Sequence, residues 1–182
     1  MYDELREVWR ELTAAGAPFE VKEVNVRGIP LKTYASVPPS LRELWLMTAG
    51  HADKDHLVYQ DERWTFSEAH REVASVAAWL AGSGVETGDR VAIAMRNYPE
   101  WVLSYWATVS LGAAAVGMNA WWTGPEMEYG LKDSAPKVLI CDIERLRTLT
   151  PHLEAIREQT KLEIVVVRAP DEVPADAVDW QQ

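Results

Sequence analysis

The spacing of hydrophobic positions changes along the chain and predicts which elements form. From residue 85 to residue 168, short runs that are apolar at every position alternate with longer amphipathic segments. Continuous apolar runs are typical of strands covered on both faces, and the segments between them, roughly 10 to 15 residues each, have the length of parallel crossovers. The four runs are 91–95, 114–118, 138–141 and 164–167. The pattern therefore predicts repeated β-α-β units.

Residues that favour helix starts agree with this prediction. Asn97 is placed to cap a helix whose first turn contains Pro99. Thr123 stands three residues before Glu126, which is the spacing of a capping box. Pro151 interrupts the last crossover, so two short helices are expected there. The helices thus begin soon after the apolar runs end.

A β-hairpin and a helix are predicted before these units. The runs 57–60 and 63–66 are separated only by Asp61 and Glu62, which indicates a tight turn. From residue 69 to residue 80, apolar positions recur at spacings of three and four and form one stripe of a helix. Thr65 or Ser67 can cap the start of this helix, and glycines end it.

The two ends of the chain have other patterns. Residues 1–56 contain a charged amphipathic stretch at 3–12, an alternating run at 19–26 that predicts a strand, and a further helix after Ser40. Residues 169–182 are acidic and contain prolines, which is typical of a linker. We therefore predict an α/β fold, a parallel Rossmann- or flavodoxin-like sheet with flanking helices, preceded by an N-terminal arm and a β-hairpin. The predicted domains are the arm at 1–56, the α/β subdomain at 57–168 and the linker at 169–182.

Composition and charge limit the classes of function that the chain can have. The 182 residues include 18 Lys and Arg against 28 Asp and Glu, a net charge of −10, so a nucleic-acid partner is not expected. With 48% hydrophobic residues, the chain has enough apolar surface to fold. One cysteine, Cys141, excludes an intrachain disulfide and a thiolate metal set, and a charged N-terminus does not resemble a secretory signal. We expect a cytoplasmic location; the sequence does not decide whether the protein associates with membranes.

In a parallel sheet, ligands collect at the carboxyl ends of the strands. Those ends are 96–97, 119–122, 142–147 and Arg168. Helix capping by Asn97 and Thr123, and simple packing by Trp121 and Trp122, are the alternative interpretations of the same residues. Residues 82–88 contain glycines but precede a strand and lack the lysine of a phosphate loop, so a turn is expected there.

Other catalytic signals are weak. The four histidines are scattered without the spacing of metal ligands, so no metal site is predicted. No serine lies in a Gly-x-Ser-x-Gly elbow. Cys141 closes an apolar strand and is interpreted as a core thiol, not a nucleophile. We therefore predict no catalytic residue in this chain.

Residues 57–141 nevertheless resemble the adenylate-forming superfamily, in particular bacterial fatty acyl-CoA synthetases. The matching phrases, in order, are YQDERWTF at 59–66, GVETGDRVAI at 84–93, NYPEW at 97–101, LGA at 111–113, NAWWTGPE at 119–126, LKDS at 131–134 and KVLI at 137–140. The phrase at 119–126 is especially similar to acyl-CoA synthetases of actinobacteria. The resemblance implies a ligase that uses ATP and Mg²⁺ to convert a carboxylic acid, expected to be a fatty acid, to an acyl-adenylate and then to an acyl-CoA.

The family's phosphate loop, adenine pocket, ribose-binding Asp and catalytic Lys are not found in these 182 residues. The resemblance therefore implies the opening part of such an enzyme, a truncated piece or a natural half protein, without ligase activity of its own and without tight binding of ATP, Mg²⁺ or coenzyme A. Related acetyl-CoA synthetases contact the nucleotide end of coenzyme A at positions matching Arg145 and Arg147, close to the turn of Asn119, Trp121 and Trp122. Arginine suits phosphate because it forms bidentate hydrogen bonds, although ordinary surface arginines are the alternative.

Two other functions stay open. One is a self-sufficient flavodoxin-like binding or interaction module, and the other is a fragment of a ligase for aryl acids or amino acids. If part of a larger protein is missing, self-association through exposed apolar surface is expected.

Overall fold

The computed structural model describes residues 2–170 and 173–181. The chain divides into two compact units, Met1–Ser40 and Leu41–Gln182. The first unit contains the helix α1 (Tyr2–Thr13) and the antiparallel hairpin of β1 (Val21–Val26) and β2 (Ile29–Tyr34). None of residues 2–40 is buried. The amphipathic helix and the strand predicted in this region are confirmed.

The second unit contains the remaining elements. Its helices are α2 (Leu41–Met47), α3 (Phe66–Gly82), α4 (Pro99–Ser110), α5 (Gly124–Ser134), α6 (Ile143–Leu149) and α7 (Leu153–Arg157), with 3-10 turns at Thr48–His51 and Thr150–His152. Its strands are β3 (Asp55–Tyr59), β4 (Glu62–Thr65), β5 (Arg90–Ala94), β6 (Ala114–Gly117), β7 (Val138–Asp142), β8 (Glu163–Val167) and β9 (Val178–Asp179). No helix in the described ranges is long and apolar enough to cross a membrane.

Strands β5 to β9 form one parallel sheet in the order β6-β5-β7-β8-β9. In chain order this is 2-1-3-4-5, the flavodoxin-like arrangement. The predicted α/β fold with a parallel, flavodoxin-like sheet is therefore confirmed. Strand order reverses between β5 and β7, because the chain first crosses to β6 and then returns.

Alternate residues of the strands enter two separate cores. Val91 and Ile93 of β5 pack with residues of α2, α3 and α4, whereas Ala92 and Ala94 pack with residues of α5, α6 and α7. This alternation follows from the two-residue period of a strand. Helices on both faces explain why β5, β7 and β8 are apolar at nearly every position.

The start of α3 and the start of α5 are capped as predicted. The Glu68 carboxylate accepts hydrogen bonds from the Thr65 backbone N–H and hydroxyl, both at 2.8 Å. The Glu126 carboxylate accepts from the Thr123 N–H at 2.7 Å and from its hydroxyl at 2.8 Å. Both helices therefore begin at boundaries that the sequence specifies locally.

Two local predictions were wrong. Asn97 does not cap α4; the cap position is Tyr98, because the residue before Pro99 is restricted to the extended conformation found here. The hairpin turn consists of Gln60 and Asp61, one residue earlier than expected, with Tyr59 paired to Glu62.

The two outer strands of the sheet also differ from expectation. Ala114 and Gly117 of β6 are exposed, because β6 lies at an edge of the sheet and is not covered on both sides. Val178 and Asp179, placed in the predicted linker, pair with β8 as a short strand, while residues 171, 172 and 182 of that linker lie outside the described residues. The compact units meet at residues 40 and 41, because Trp45 of α2 is part of the core beneath α3 and α4, and the predicted domain boundaries stay a prediction.

Candidate functional site at the carboxyl ends of the strands

The carboxyl ends of the parallel strands lie on one edge of the sheet. The crevice at the point where strand order reverses is the usual ligand position in this fold. Here that point lies between the residues after β5, Arg96 and Asn97, and the end of β7, Asp142. The turn of residues 119–122 follows the neighbouring strand β6.

Asp142 is the buried centre of this edge, with 2% of its surface exposed. Its Oδ2 accepts a hydrogen bond from the Arg96 backbone N–H at 3.1 Å and from Arg145 Nη1 at 2.9 Å. Its Oδ1 accepts from the Arg145 backbone N–H at 2.9 Å, which caps α6. A buried carboxylate is tolerated only when it is paired and hydrogen-bonded, and both conditions are met.

Arg145 connects this carboxylate to the neighbouring turn. Its Nε donates to the carbonyl oxygen of Ala120 at 2.9 Å, and its Nη1 also lies 3.0 Å from Glu144. Only 8% of the residue is exposed. The guanidinium therefore holds the 119–122 turn against the end of β7 and does not point freely into solvent.

Trp121 is the exposed part of that turn. The Asn119 side-chain oxygen accepts a hydrogen bond from the Trp121 N–H at 2.9 Å, which fixes the turn. Trp121 is 78% exposed, and the Arg96 guanidinium carbon lies 5.5 Å from the centre of its ring. Arg96 also forms an ion pair with Glu144 at 3.2 Å. An open indole beside a guanidinium is a surface on which a planar group can stack.

The remaining two predicted residues lie elsewhere on the same elements. Trp122 packs over α5, since a Cβ atom added to Gly130 would come within 2.9 Å of Trp122 Cζ3. Arg147 is exposed on α6, two positions after Arg145, and side chains two positions apart on a helix do not face the same way. The structure thus joins Asn119, Trp121 and Arg145 in one network, with Trp122 behind the turn.

Arg96 and Asp142 were noted in the sequence only as strand ends, without a role. The available signal was the acidic residue that directly ends the apolar run 138–141, because a carboxylate in that position needs a buried cation. The positive charges of Arg96 and Arg145 are balanced by the negative charges of Asp142 and Glu144. The cluster is consequently close to neutral, and an incoming anion would meet carboxylates as well as guanidinium groups.

A second cluster surrounds Arg168, directly after β8. Its guanidinium donates to both oxygens of Glu62, at 2.5 Å and 2.8 Å, and to Glu100 at 2.8 Å. It also lies 5.1 Å and 5.2 Å from the ring centres of Tyr59 and Tyr98. These hydrogen bonds lower the pKa of Glu62 and raise that of Arg168. Arg168 therefore ties the β3–β4 hairpin and the start of α4 to the end of the sheet.

Other candidate groups contribute little chemistry. Cys141 is fully buried and its pKa is raised by that burial, as expected of a core thiol. His152 Nδ1 lies 2.6 Å from Glu128, which also pairs with Lys132 at 2.6 Å. Among the described residues, no three His, Cys, Asp or Glu side chains are grouped as metal ligands. The strand-end network is thus the best-developed candidate site.

Comparison with known proteins gives consistent matches. Residues 45–182 match the family model described as AMP-binding enzyme. The long-chain-fatty-acid–CoA ligase of Bacillus subtilis is 31% identical over 112 residues, which are 62% of this chain and 19% of the relative. The 4-hydroxybutyrate–CoA ligase 2 of Metallosphaera sedula is 31% identical over 150 residues, or 81% of this chain and 26% of the relative.

A solved structure agrees with these matches. An anthranilate CoA ligase in complex with anthranoyl-AMP superimposes with a TM-score of 0.71 at 30% identity, covering 80% of this chain and 28% of that protein. The chain therefore spans about a fifth to a quarter of the curated relatives that it matches.

Proposed function

Because this chain belongs to the family of AMP-binding enzymes, we propose that it forms the N-terminal α/β part of an ATP-dependent ligase that joins a carboxylic acid to coenzyme A. The match over residues 45–182 carries this proposal. The curated relatives and the superimposed structure described above are all named as CoA ligases, which supports it further.

In such a ligase, ATP with Mg²⁺ supplies the activation of the acid as an acyl-adenylate, and the thiol of coenzyme A accepts the acyl group. The described residues offer no metal-ligand group and no phosphate loop, so we assign those tasks to other parts of the enzyme. We propose that this chain positions the carboxyl edge of its sheet as one wall of the ligand site. The 182 residues alone are expected to have no ligase activity.

The nucleotide end of coenzyme A is the ligand we propose for this edge. In this proposal its adenine ring stacks on the exposed Trp121 beside Arg96, and its phosphates extend along α6 to the exposed Arg147, which lies outside the network of Asn119, Trp121 and Arg145. Arg145 and Asn119 act as positioning residues in this proposal, because their polar groups already hold the turn. Trp122 supports the turn from behind.

A fatty acid is the substrate class we propose, supported by the long-chain ligase of Bacillus subtilis. An aryl acid is the second candidate, supported by the 30% identity to an anthranilate ligase. We also propose that the protein self-associates through the exposed apolar side chains of residues 2–40. We propose a cytoplasmic location, which a single buried cysteine favours.

Acid-dependent exchange between ATP and pyrophosphate tests the function directly. Residues 41–182, the whole second unit, would replace the corresponding segment of the Bacillus subtilis ligase, and exchange and acyl-CoA formation would be measured with palmitate, 4-hydroxybutyrate and anthranilate. We expect the graft to be active. Comparing which of the three acids the graft and the unmodified ligase prefer shows whether the grafted segment influences substrate choice.

A graft of an unrelated flavodoxin-like domain at the same position is the control and should be inactive. A folded but inactive graft of residues 41–182 would contradict the proposal and favour a separate binding module. Acid-dependent exchange by the 182-residue chain alone would contradict the assignment of catalysis to other parts. Charge reversal at Arg147 in the active graft should raise the KM for coenzyme A, and an unchanged KM would remove that residue from the site.

A further inference from the structure

Trp45 is the buried centre of an aromatic cluster that contains two histidines. Its indole, on α2, stacks with His70 of α3 at 4.0 Å between ring centres and with Trp106 of α4 at 5.1 Å. His56 of β3 approaches the same indole at 5.4 Å. Trp45 is 2% exposed and both imidazoles are partly buried, so four elements meet at one aromatic contact.

Because their hydrogen bonds differ, protonation costs less free energy at His70 than at His56. The Thr48 hydroxyl donates to the carbonyl oxygen of Trp45 at 2.6 Å, so its oxygen is left to accept the proton of His70 Nε2 at 3.0 Å. His70 keeps this bond when it is charged, and its stacking on an indole then becomes a cation–π contact. His56 Nε2 is buried and has no hydrogen-bond partner among the described residues. Protonation would create an unpaired buried donor on a charged ring, which is costly.

The surroundings of His56 do not offset that cost. Burial, and after it the charge of His70, lowers the pKa of His56, and burial also lowers the pKa of His70. The ring centre of Phe66 lies 4.4 Å from that of His56, and Phe66 also contacts His51. In the described part of the chain, no carboxylate is among the groups that shift the pKa of either imidazole.

We propose that α2 and β3 stay attached to α3 and α4 only while His56 is neutral, so that this part of the fold opens on acidification. In the open segment His56 regains the ordinary histidine pKa of about 6.5. Since the attached state binds this proton less tightly than the open state, attachment is complete above pH 6.5 and weakens as the pH falls below that value. β3 is hydrogen-bonded to β4, whose Glu62 holds Arg168, so opening also loosens the strand-end edge.

Hydrogen–deuterium exchange of the 182-residue chain, read by mass spectrometry, tests the proposal. After correction for the intrinsic pH dependence of exchange, peptides covering α2 and β3 should lose up to about tenfold protection per pH unit below pH 6, because opening takes up one proton. Peptides covering β7 should keep their protection over the same range.

Two variants and one further measurement make the test specific. His56→Phe keeps a ring without a titrating nitrogen and should make the pH-dependent loss less steep, leaving only the contribution of His70, whereas His152→Gln, outside the cluster, should retain the full slope. An NMR titration of the unsubstituted protein should give His56 a pKa below 6.5. Protection of α2 and β3 that is independent of pH, a pH dependence as steep in His56→Phe as in the unsubstituted protein, or a His56 pKa of 6.5 or higher would each overturn the proposal.

Discussion

Arg168 and Glu62 form a two-pronged ion pair between residues that are 106 positions apart in the chain, with Nη1 bonded to Oε1 and Nη2 to Oε2. Paired hydrogen bonds of this kind fix orientation as well as distance. The pair fastens the turn end of the β3–β4 hairpin to the residue that follows β8. A surface hairpin is thereby made part of the carboxyl edge of the sheet.

Replacing this arginine should destabilise the second unit. Arg168→Gln leaves Glu62 and Glu100 without their cation and removes the contacts with two tyrosine rings, so we expect a loss of roughly 1–3 kcal/mol in the free energy of unfolding. Urea unfolding followed by circular dichroism measures it. Arg63→Gln is the matched control, because Arg63 is half exposed and reaches Asp55 only at 4.0 Å; equal losses in the two variants would contradict the expectation.

Removing the buried carboxylate of the strand-end network should cost more. Asp142→Asn leaves the Arg145 guanidinium buried without its main counter-charge, for which a loss of about 3 kcal/mol is typical. Glu144→Gln, at an exposed position of the same network, should change stability by less than about 1 kcal/mol. Thermal unfolding of both variants decides the matter, and a larger effect of Glu144→Gln would show that the buried pair is not the centre of the network.

Because His152 lies close to the start of α5, a side chain at Gly124 is expected to destabilise the protein. A Cβ atom at residue 124 would lie 2.4 Å from His152 Nε2 and 3.0 Å from the Thr148 carbonyl oxygen. The imidazole is held by Glu128, so Gly124→Ala should cost roughly 1–3 kcal/mol through overpacking. Gly82→Ala, with no atom within 4 Å of the added carbon, is the control and should be neutral or slightly stabilising. Similar unfolding midpoints for the two variants would be the contrary result.

Acid should weaken the Arg168 cluster in a definite range. The hydrogen bond from Arg168 lowers the pKa of Glu62 below the 4.5 of an unperturbed glutamate. Because the folded state binds this proton less tightly, the contribution of Glu62 is complete above pH 4.5 and is lost as the pH falls through its lower folded-state pKa. Urea midpoints measured from pH 5 to pH 3 should therefore fall less steeply in Glu62→Gln than in the unsubstituted protein. Parallel pH profiles would show that Glu62 does not titrate with folding.

The central elements could be predicted because the information for them is local. Apolar runs followed by helix caps predicted β5, β7 and β8, and Thr123 with Glu126 predicted the start of α5. The short strand β9 could not be predicted, since its two residues are strand-like only through their pairing with Val165 and Val166. A window of sequence does not contain that partner.

The strand-end residues could be located along the chain but not oriented, and their role as a ligand site stays a prediction. The turn at 119–122 and the arginines after β7 were found from the strand ends and from the family resemblance. Whether an arginine faces a ligand or a buried aspartate depends on how α6 packs against β7. The spacing of residues along the chain does not specify that packing. Arg145 for this reason proved to be paired with Asp142, whereas Arg147 is exposed.

The edge strand β6 has a practical consequence for work with this protein. Its four residues, Ala114 to Gly117, contain neither a charge nor a proline. Charged and proline residues are the usual protection of an open strand edge against intermolecular β-pairing. The shortness of β6 is thus the main restraint on such pairing, and a lysine introduced at the exposed Ala114 should lower any thioflavin signal that concentrated stocks develop on storage.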